Sequence, residues 1–540
     1  MFLLSAILGV ALAIRALAWS QAEMMMNDGP HYLWQAQALF QGDWQGALGH
    51  HYAPGFAGAT ALVMNLVADP LNAAIAVSMA AGLLLVVAAW GIARTGLPHT
   101  PNAAPAAALV AALNVRTVAY TSDVQSDGLF AAFFLCAAWA LLAAAQREQR
   151  GQRATTQALA GGLVMGLAYL VRLEALFLLL PLAMWCLAGL VHQAPGFRRR
   201  AALTSMAAAA SLLAVAPYVI GLHQATGRWG LSNKPSAHQA GLVSDLSSGP
   251  DHVTSPLSWP RVSQRMDTPA AATAPDDSGS STEPAAQKAQ EQPDRGGFLL
   301  FDSSPGFLSL AKSAVAPSPF DWGAAINHSL NQFVRALRLE YLLFIVPGLM
   351  ALGRRRPGLC ALLCLTIVAW LAVTTMQLRL SGFLSTRHMM IPLTLLLPVA
   401  GAGLVSLWNK NRFWRVLVVL ALLEPVEVAA RDYHGNHVPR LAALAWIQEH
   451  SEPQQLFATH RQRDGYYAQR VPLIVELPVK TANMAANCRV YDVPWMAFDL
   501  DKLNALQPEW LEQGLIQEEL RFGVGDETVV VFAPAFDGPR

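Results

Sequence analysis

The sequence predicts a polytopic all-α membrane bundle of about eleven transmembrane helices, with a small C-terminal α/β domain outside the membrane. Three observations carry this. Apolar residues make up 54% of the 540-residue chain and charged residues only 14%, against about 25% charged in an ordinary soluble domain. Apolar runs recur along the chain up to position 429, and a spanning helix needs about 20 such residues. The arginine clusters fall in alternate loops between those runs.

The runs lie near 2–20, 71–93, 103–120, 125–146, 157–171, 173–192, 201–222, 339–353, 358–376, 388–408 and 413–429. The first has no basic leader and carries Arg15 late, so it reads as an uncleaved span and not as a signal peptide. Four basic clusters obey one parity: Arg147, Arg150 and Arg153; Arg198, Arg199 and Arg200; Arg354, Arg355 and Arg356; Lys410, Arg412 and Arg415. Positive loops stay inside. The N-terminus is then cytoplasmic, and 21–70, 121–124, 223–338, 377–387 and everything after about 430 lie outside.

This divides the chain into a membrane module 1–222 with first external loop 21–70, an external loop 223–338 with a flexible insertion 246–297, C-terminal transmembrane helices 339–429, and a soluble domain 430–540. "TPAAATAPDDSGSSTEPAAQKAQEQPDRGG" has the Ala, Pro, Ser and charge bias of a segment that cannot bury a core. "DWGAAINHSLNQFVRALRLEYLLF" has the amphipathic rhythm of a helix lying on the membrane surface. In the soluble domain "HVPRLAALAWIQEH" reads as a helix and "QQLFATH", "VPLIVEL" and "ETVVVFAPA" as strands, with helical "LDKLNALQPEWLEQG" between the last two. A net charge of +1 gives no bias toward nucleic acid. Five cysteines form no disulfide framework or CxxC metal site.

The chemistry gathers at the outer mouth. In "MMMNDGPHYLWQAQALFQGDW" Gly29 and Pro30 suit a helix start, and Tyr32, Leu33, Ala36, Leu39 and Phe40 repeat at helical spacing. Asp28 stands just before that helix, as its cap or as a reactive acid. In "LGHHYAPGF", His50 and His51 could touch a sugar or a metal, but no third ligand is evident. Asp123 and Asp127 lie four apart at the start of a span, where capping is again the plain alternative. Arg172 and Glu174 stand between two apolar runs, where ionisable groups usually face a polar cavity. Arg379, Arg387 and His388 are external, against the positive-inside bias, and anion binding explains them. Acids beside arginines fit transfer chemistry on a phosphate-bearing lipid: a carboxylate takes a proton from an acceptor hydroxyl, and an arginine holds the departing phosphate.

The order of "NDGPHYLWQAQALFQGDW", "HHYAPGF", "SDGLFAAFFLCAAWALL", "GLAYLVRLEALFLLLPL", "PYVIGLHQATGRWGLS" and "RHMMIPLTLLLP" resembles the GT-C membrane glycosyltransferases. More narrowly it resembles the bacterial relatives of protein O-mannosyltransferases, the aminoarabinose transferases and the rhizobial lipopolysaccharide-core transferases. The resemblance covers most of 1–410. It implies an inverting transferase of the bacterial inner membrane, with its C-terminal domain periplasmic, that uses a polyprenyl-phosphate sugar donor and a glycan, lipid or protein acceptor. The family's first-loop acid falls on Asp28, as base. The acid of its Ser-Glu-like pair falls on Asp127, after Ser126, with Asp replacing the commoner Glu. Its arginine falls on Arg172, with Leu173 where Pro is usual, and a basic residue before the later span falls on Arg387. Asp123, Glu174 and His51 complete the expected substrate-binding set. A divalent metal assists some GT-C enzymes, and nothing in this sequence requires one. No WWD-type motif occurs, which argues against an oligosaccharyltransferase catalytic subunit. The rivals are a lipid-linked sugar flippase, which usually carries internal repeats, and an inactive assembly factor, in which these residues would not converge.

Overall fold

The computed structural model describes residues 2–49, 52–100, 102–191, 197–227, 229–232, 298–299, 308–310, 321–381, 384–430, 437–452, 455–461, 463–475, 488, 493–523 and 528–535. The insertion 246–297 therefore lies outside the described residues, as does His51. Contacts divide the chain into two compact units: Met1–Gln239 with Pro317–His437, and Ala240–Ala316 with Val438–Arg540.

The regular elements of the first unit are helical among its described residues. In order they are α1 (Phe2–Ser20), α2 (Gly29–Phe40), α3 (Trp44–Gly49), α4 (Gly55–Val63), α5 (Pro70–Gly96), α6 (Ala103–Leu113), α7 (Val115–Thr121), α8 (Ser126–Gln149), α9 (Thr155–Val171), α10 (Leu179–Val191), α11 (Phe197–Thr226), α12 (Trp322–Leu337), α13 (Leu339–Arg355), α14 (Pro357–Ser381), α15 (Met390–Trp408) and α16 (Arg412–Ala430). Six described helices are long and apolar enough to cross a membrane, or up to eight if each of two bent pairs counts as one span. The expected count of about eleven is larger. The difference has physical causes: Thr155–Val171 and Leu173–Leu187 are short, and α16 carries Arg412, Arg415, Glu424 and Glu427.

One bent pair shapes the site. α6 and α7 meet at 58°, and such a break strips carbonyls of their helical partners, which must then be satisfied within the protein. Thr117 Oγ1 donates to Ala111 O at 2.9 Å, Arg15 Nη1 to Ala112 O at 3.2 Å, and Tyr341 Oη to Leu113 O at 3.0 Å. Asn114 Oδ1 accepts from Thr117 N at 3.0 Å and starts α7. Arg15 also donates through Nε to Thr121 Oγ1 at 2.7 Å. Gly82 makes room for this: a Cβ there would stand 2.1 Å from Arg15 Nε. The bend lets α7 end at Thr121, so that Asp123 and Asp127 arrive at the start of α8.

The span ending in α15 is the most enclosed. Of its apolar window 83% is buried, against 56% or less for the other five long spans. It packs closely on α13, where a Cβ on Gly403 would stand 1.7 Å from Phe344 O. Small residues allow such backbone approach within a bilayer. The 3-10 turn Thr386–Met389 that leads into α15 carries Arg387.

The second unit contains a seven-stranded sheet: β1 (Phe298–Leu299), β2 (Leu308–Leu310), β3 (Leu456–Thr459), β4 (Val471–Val475), β5 (Trp495–Asp499), β6 (Ile516–Phe522) and β7 (Val529–Pro534), in spatial order β1-β2-β4-β3-β5-β7-β6. β2, β4, β3 and β5 run parallel, while β1, β7 and β6 pair antiparallel with their neighbours. Helices α17 (Val438–His450), α18 (Asp464–Ala468), α19 (Leu500–Leu506) and α20 (Glu509–Glu512) belong to the same unit. Its core gathers Met496, Phe498, Trp510, Val530 and Phe532, all fully buried. The sequence reading expected three strands. β5 is additional to these, and β6 is mostly exposed and charged, without the apolar alternation of a half-buried strand. β1 and β2 come from the distant 223–338 segment.

Candidate active site

Asp28 occupies the N-cap position of α2, yet its side chain makes no capping bond. The carboxylate instead accepts from Arg387 Nη1 at 2.6 Å and from the Tyr52 hydroxyl. Burial alone would raise the Asp28 carboxyl, but the Arg387 guanidinium outweighs it and holds the acid below the usual carboxylate range. Arg387 sits in a 3-10 turn, Thr386–Met389, fixed by a reciprocal cap: Ser385 N donates to His388 Nδ1 at 3.1 Å. Trp370 Nε1 donates to His388 O at 2.9 Å and anchors the same turn. The Arg387 Nε is buried and has no hydrogen-bond partner among the described residues. One donor edge of this arginine is thus committed to Asp28 while another is unspent.

A second ion-pair group stands beside the first. Asp127, in the first turn of α8, accepts from Arg172 Nη1. α9 ends at Arg172, whose backbone is extended (φ −155°, ψ 134°), so the chain turns into the 3-10 segment Leu173–Leu178. This brings Glu174 back to Arg172, whose Nη2 donates to Glu174 Oε1 at 2.9 Å. The guanidinium also lies over the Phe130 ring, 5.8 Å from its centre. Tyr32 links the two groups. Its hydroxyl is 2.7 Å from Ser126 Oγ, next to Asp127, and its ring centre is 5.0 Å from that of Tyr52, the partner of Asp28. Arg387 also lies within electrostatic reach of Asp127 and Arg172.

Asp28, Asp127, Arg172, Glu174 and Arg387 are therefore brought together. Asp123 is not turned the same way. It lies ahead of α8, not on its face, and its fully buried carboxylate accepts from Met26 N at 3.0 Å and Val124 N at 2.6 Å. It secures the backbone two residues before Asp28. Tyr32 and Tyr52 belong to the cluster without having been expected in it, and Ser126 and His388, marked in the sequence beside Asp127 and Arg387, lie with it. Tyr32 falls in the apolar rhythm of α2 and Tyr52 in an aromatic loop, and either pattern reads as packing. Among the described residues, no three His, Cys, Asp or Glu side chains gather as a metal site.

Residues 51–220 match the family model described as dolichyl-phosphate-mannose-protein mannosyltransferase. Among solved structures, the chain superposes on ArnT from Cupriavidus metallidurans in the apo state with a TM-score of 0.55 at 14% identity, covering 99% of both chains. The chain has the GT-C fold. The GT-C likeness extends to the same ArnT bound to undecaprenyl phosphate, with a TM-score of 0.50, 13% identity and 99% of both chains covered. It extends also to the oligosaccharyltransferase AglB from Archaeoglobus fulgidus in complex with an inhibitory peptide and a dolichol-phosphate. That match has a TM-score of 0.54 at 10% identity and covers 98% of this chain and 74% of that one. No curated protein matches the sequence.

Proposed function

We propose that this GT-C protein is an inverting glycosyltransferase that moves a sugar from a polyprenyl-phosphate donor to an acceptor hydroxyl on the outer face of the bacterial inner membrane. The observation that carries the reading is the junction of two carboxylate–guanidinium groups at one mouth, with the Arg387 Nε left as a spare donor among the described residues. Asp28 removes the acceptor proton as the hydroxyl oxygen attacks the anomeric carbon. The bond from that carbon to the phosphate oxygen breaks on the opposite face, and the polyprenyl phosphate leaves as an anion. Arg387 takes that charge through bidentate bonds of the kind guanidinium groups make to phosphate, and Arg172 adds positive potential beside it. Asp127 and Glu174 keep Arg172 oriented. Arg387 also sets the timing. While it pairs with Asp28 the acid is ionised but weakly basic, and a donor phosphate competing for the guanidinium makes Asp28 a stronger base once donor is bound. The parity of the four basic loops supports an external position for this mouth. The ArnT and AglB structures hold undecaprenyl phosphate and dolichol-phosphate, which supports a lipid-phosphate carrier here.

Asp28→Asn keeps the size and removes the base. In proteoliposomes with labelled polyprenyl-phosphate sugars, turnover is expected to fall by about 10²–10⁴ while donor binding persists. Wild-type turnover in that variant would exclude Asp28 as the base. A flippase would instead translocate labelled lipid with no transfer to any acceptor.

A further inference from the structure

The second unit carries a charged cluster that the membrane site does not use. In the sheet, β3 lies between β4 and β5. From the end of β3 the chain passes through α18 to β4 on one side, and from the end of β5 it passes through α19 and α20 toward β6 on the other. Where the connections of adjacent parallel strands diverge, a crevice opens outside their carboxyl ends, and open α/β sheets bind ligands there.

The residues at those two ends are polar and charged. Thr459 ends β3 and is followed by His460 and Arg461, while Asp499 ends β5. Asp499 accepts from His460 Nε2 at 3.0 Å and from Arg461 Nη2 at 2.6 Å. Arg440 is almost fully buried beneath, donating through Nε to Asp464 Oδ1 at 2.8 Å and through Nη1 to Asp499. Arg440 and Arg463 are buried against the carboxylates of Asp464 and Asp499, while the partly open Arg461 and the exposed Lys502 leave an excess of positive charge at the surface of the cluster among the described residues.

His460 supplies the second observation. Its side chain is only 6% exposed, its Nδ1 has no hydrogen-bond partner among the described residues, and burial lowers its pKa to about 4, so the ring is neutral at pH 7. Nε2 lies 3.0 Å from the Asp499 carboxylate and 3.3 Å from Arg461 Nε; an ionised carboxylate can only accept, so Nε2 carries the proton toward Asp499 and Nδ1 presents a lone pair that can accept from a hydroxyl. Arg461 stays partly open, with a quarter of its side chain exposed.

We propose that the crevice at the carboxyl ends of β3 and β5 binds a hydroxyl-bearing phosphate ester of the sugar-phosphate class. Arg461 and Lys502 hold the phosphate, and His460 Nδ1 accepts from a sugar hydroxyl. The proposal concerns the second unit alone and does not depend on the membrane site being a transferase.

The test is saturation-transfer NMR on the full chain in nanodiscs, with glucose 6-phosphate, inorganic phosphate and glucose as separate probes. Glucose 6-phosphate is expected to bind the wild type and Arg387→Gln alike, and at least tenfold more weakly to Arg461→Gln. His460→Phe is expected to erase the preference for glucose 6-phosphate over inorganic phosphate. Lys502→Gln alters an exposed side chain and leaves the fold intact, so weaker binding there reports the crevice even if Arg461→Gln misfolds. Binding unchanged in Lys502→Gln and Arg461→Gln overturns the proposal, as does binding lost with Arg387→Gln alone.

Discussion

Arg387 Nη1 and Asp28 Oδ2 stand 2.6 Å apart although 359 positions separate the residues in sequence. The pair joins the segment after α1 to the turn that leads into α15, and it holds the acid below the usual carboxylate range. Below its pKa a carboxyl is protonated and cannot act as a base, so the acid limb of the rate profile follows the Asp28 pKa. In the wild type that limb falls below about pH 4, under the ordinary aspartate value. Arg387→Gln removes the attraction and leaves burial, so the pKa rises and the limb moves toward neutral pH. The profile of kcat/KM against pH for the two proteins measures this, and an unmoved limb would mean that Arg387 does not govern Asp28.

Arg172 is expected to resist conservative exchange. Its guanidinium reaches Asp127 through Nη1 and Glu174 through Nη2 at once. A lysine offers one ammonium on a flexible stem and cannot span both carboxylates with fixed geometry. Arg172→Lys should lower kcat roughly tenfold or more at nearly unchanged Tm, whereas Arg172→Ala leaves the buried Asp127 charge uncompensated and costs about 3–5 kcal/mol. Kinetics and thermal inactivation on both variants separate the effects, and equal behaviour of the two would point to a purely structural role.

The bend between α6 and α7 should be sensitive at two positions that never meet substrate. Arg15→Met deprives Ala112 O and Thr121 Oγ1 of their donor, and an unmet buried acceptor costs about 1–3 kcal/mol. Gly82→Ala places a methyl 2.1 Å from Arg15 Nε, and overpacking of this kind costs about 1–3 kcal/mol. Both should lower Tm, and because the bend delivers Asp127 both should also depress turnover. Combined, the two losses should be less than additive, since both act on one hydrogen-bond group. Strict additivity in a double-mutant cycle would contradict that coupling.

Much of this was legible before any coordinates, and the illegible parts share a cause. Composition and apolar run length announce a membrane bundle, because lipid tolerates little else. Asp28, Asp127, Arg172 and Arg387 stand out because charge near a span needs a reason. What periodicity hides is a polar atom on an apolar body: Tyr32 and Tyr52 fit a packing face, and only geometry shows their hydroxyls at Ser126 and Asp28. Periodicity also cannot separate Asp123, spent on Met26 N and Val124 N, from Asp127, which pairs with Arg172. Both have the spacing of one helix face, and the difference lies in where α8 begins. Long-range pairing escapes sequence for another reason. β2 joins β4 more than a hundred residues further along the chain, beyond the helices α12 to α17, and no local pattern encodes such a partner.

The second unit should lose stability as pH falls, over a defined window. His460 has a folded pKa of about 4, against about 6.5 for an unperturbed histidine. Between those values the unfolded chain binds a proton that the folded ring refuses, so stability is full above about pH 6.5 and declines toward pH 4. For a side chain this enclosed, the loss across the window is of order 3 kcal/mol at about 1.4 kcal/mol per unit. Asp464 and Asp499 are also held below their ordinary range: burial opposes their ionisation, but Arg440 on Asp464, and His460 with Arg440 on Asp499, outweigh it. Their contribution is present above about pH 4 and disappears only at lower pH, so the two effects separate along the pH axis. Hydrogen exchange of β3 and β5 amides in the full chain, after correction for intrinsic rates, reads the local opening energy. The expected result is a slope between pH 6.5 and 4 in the wild type that His460→Gln flattens, with the steeper loss below pH 4 retained. A slope that survives His460→Gln would assign the window to another group.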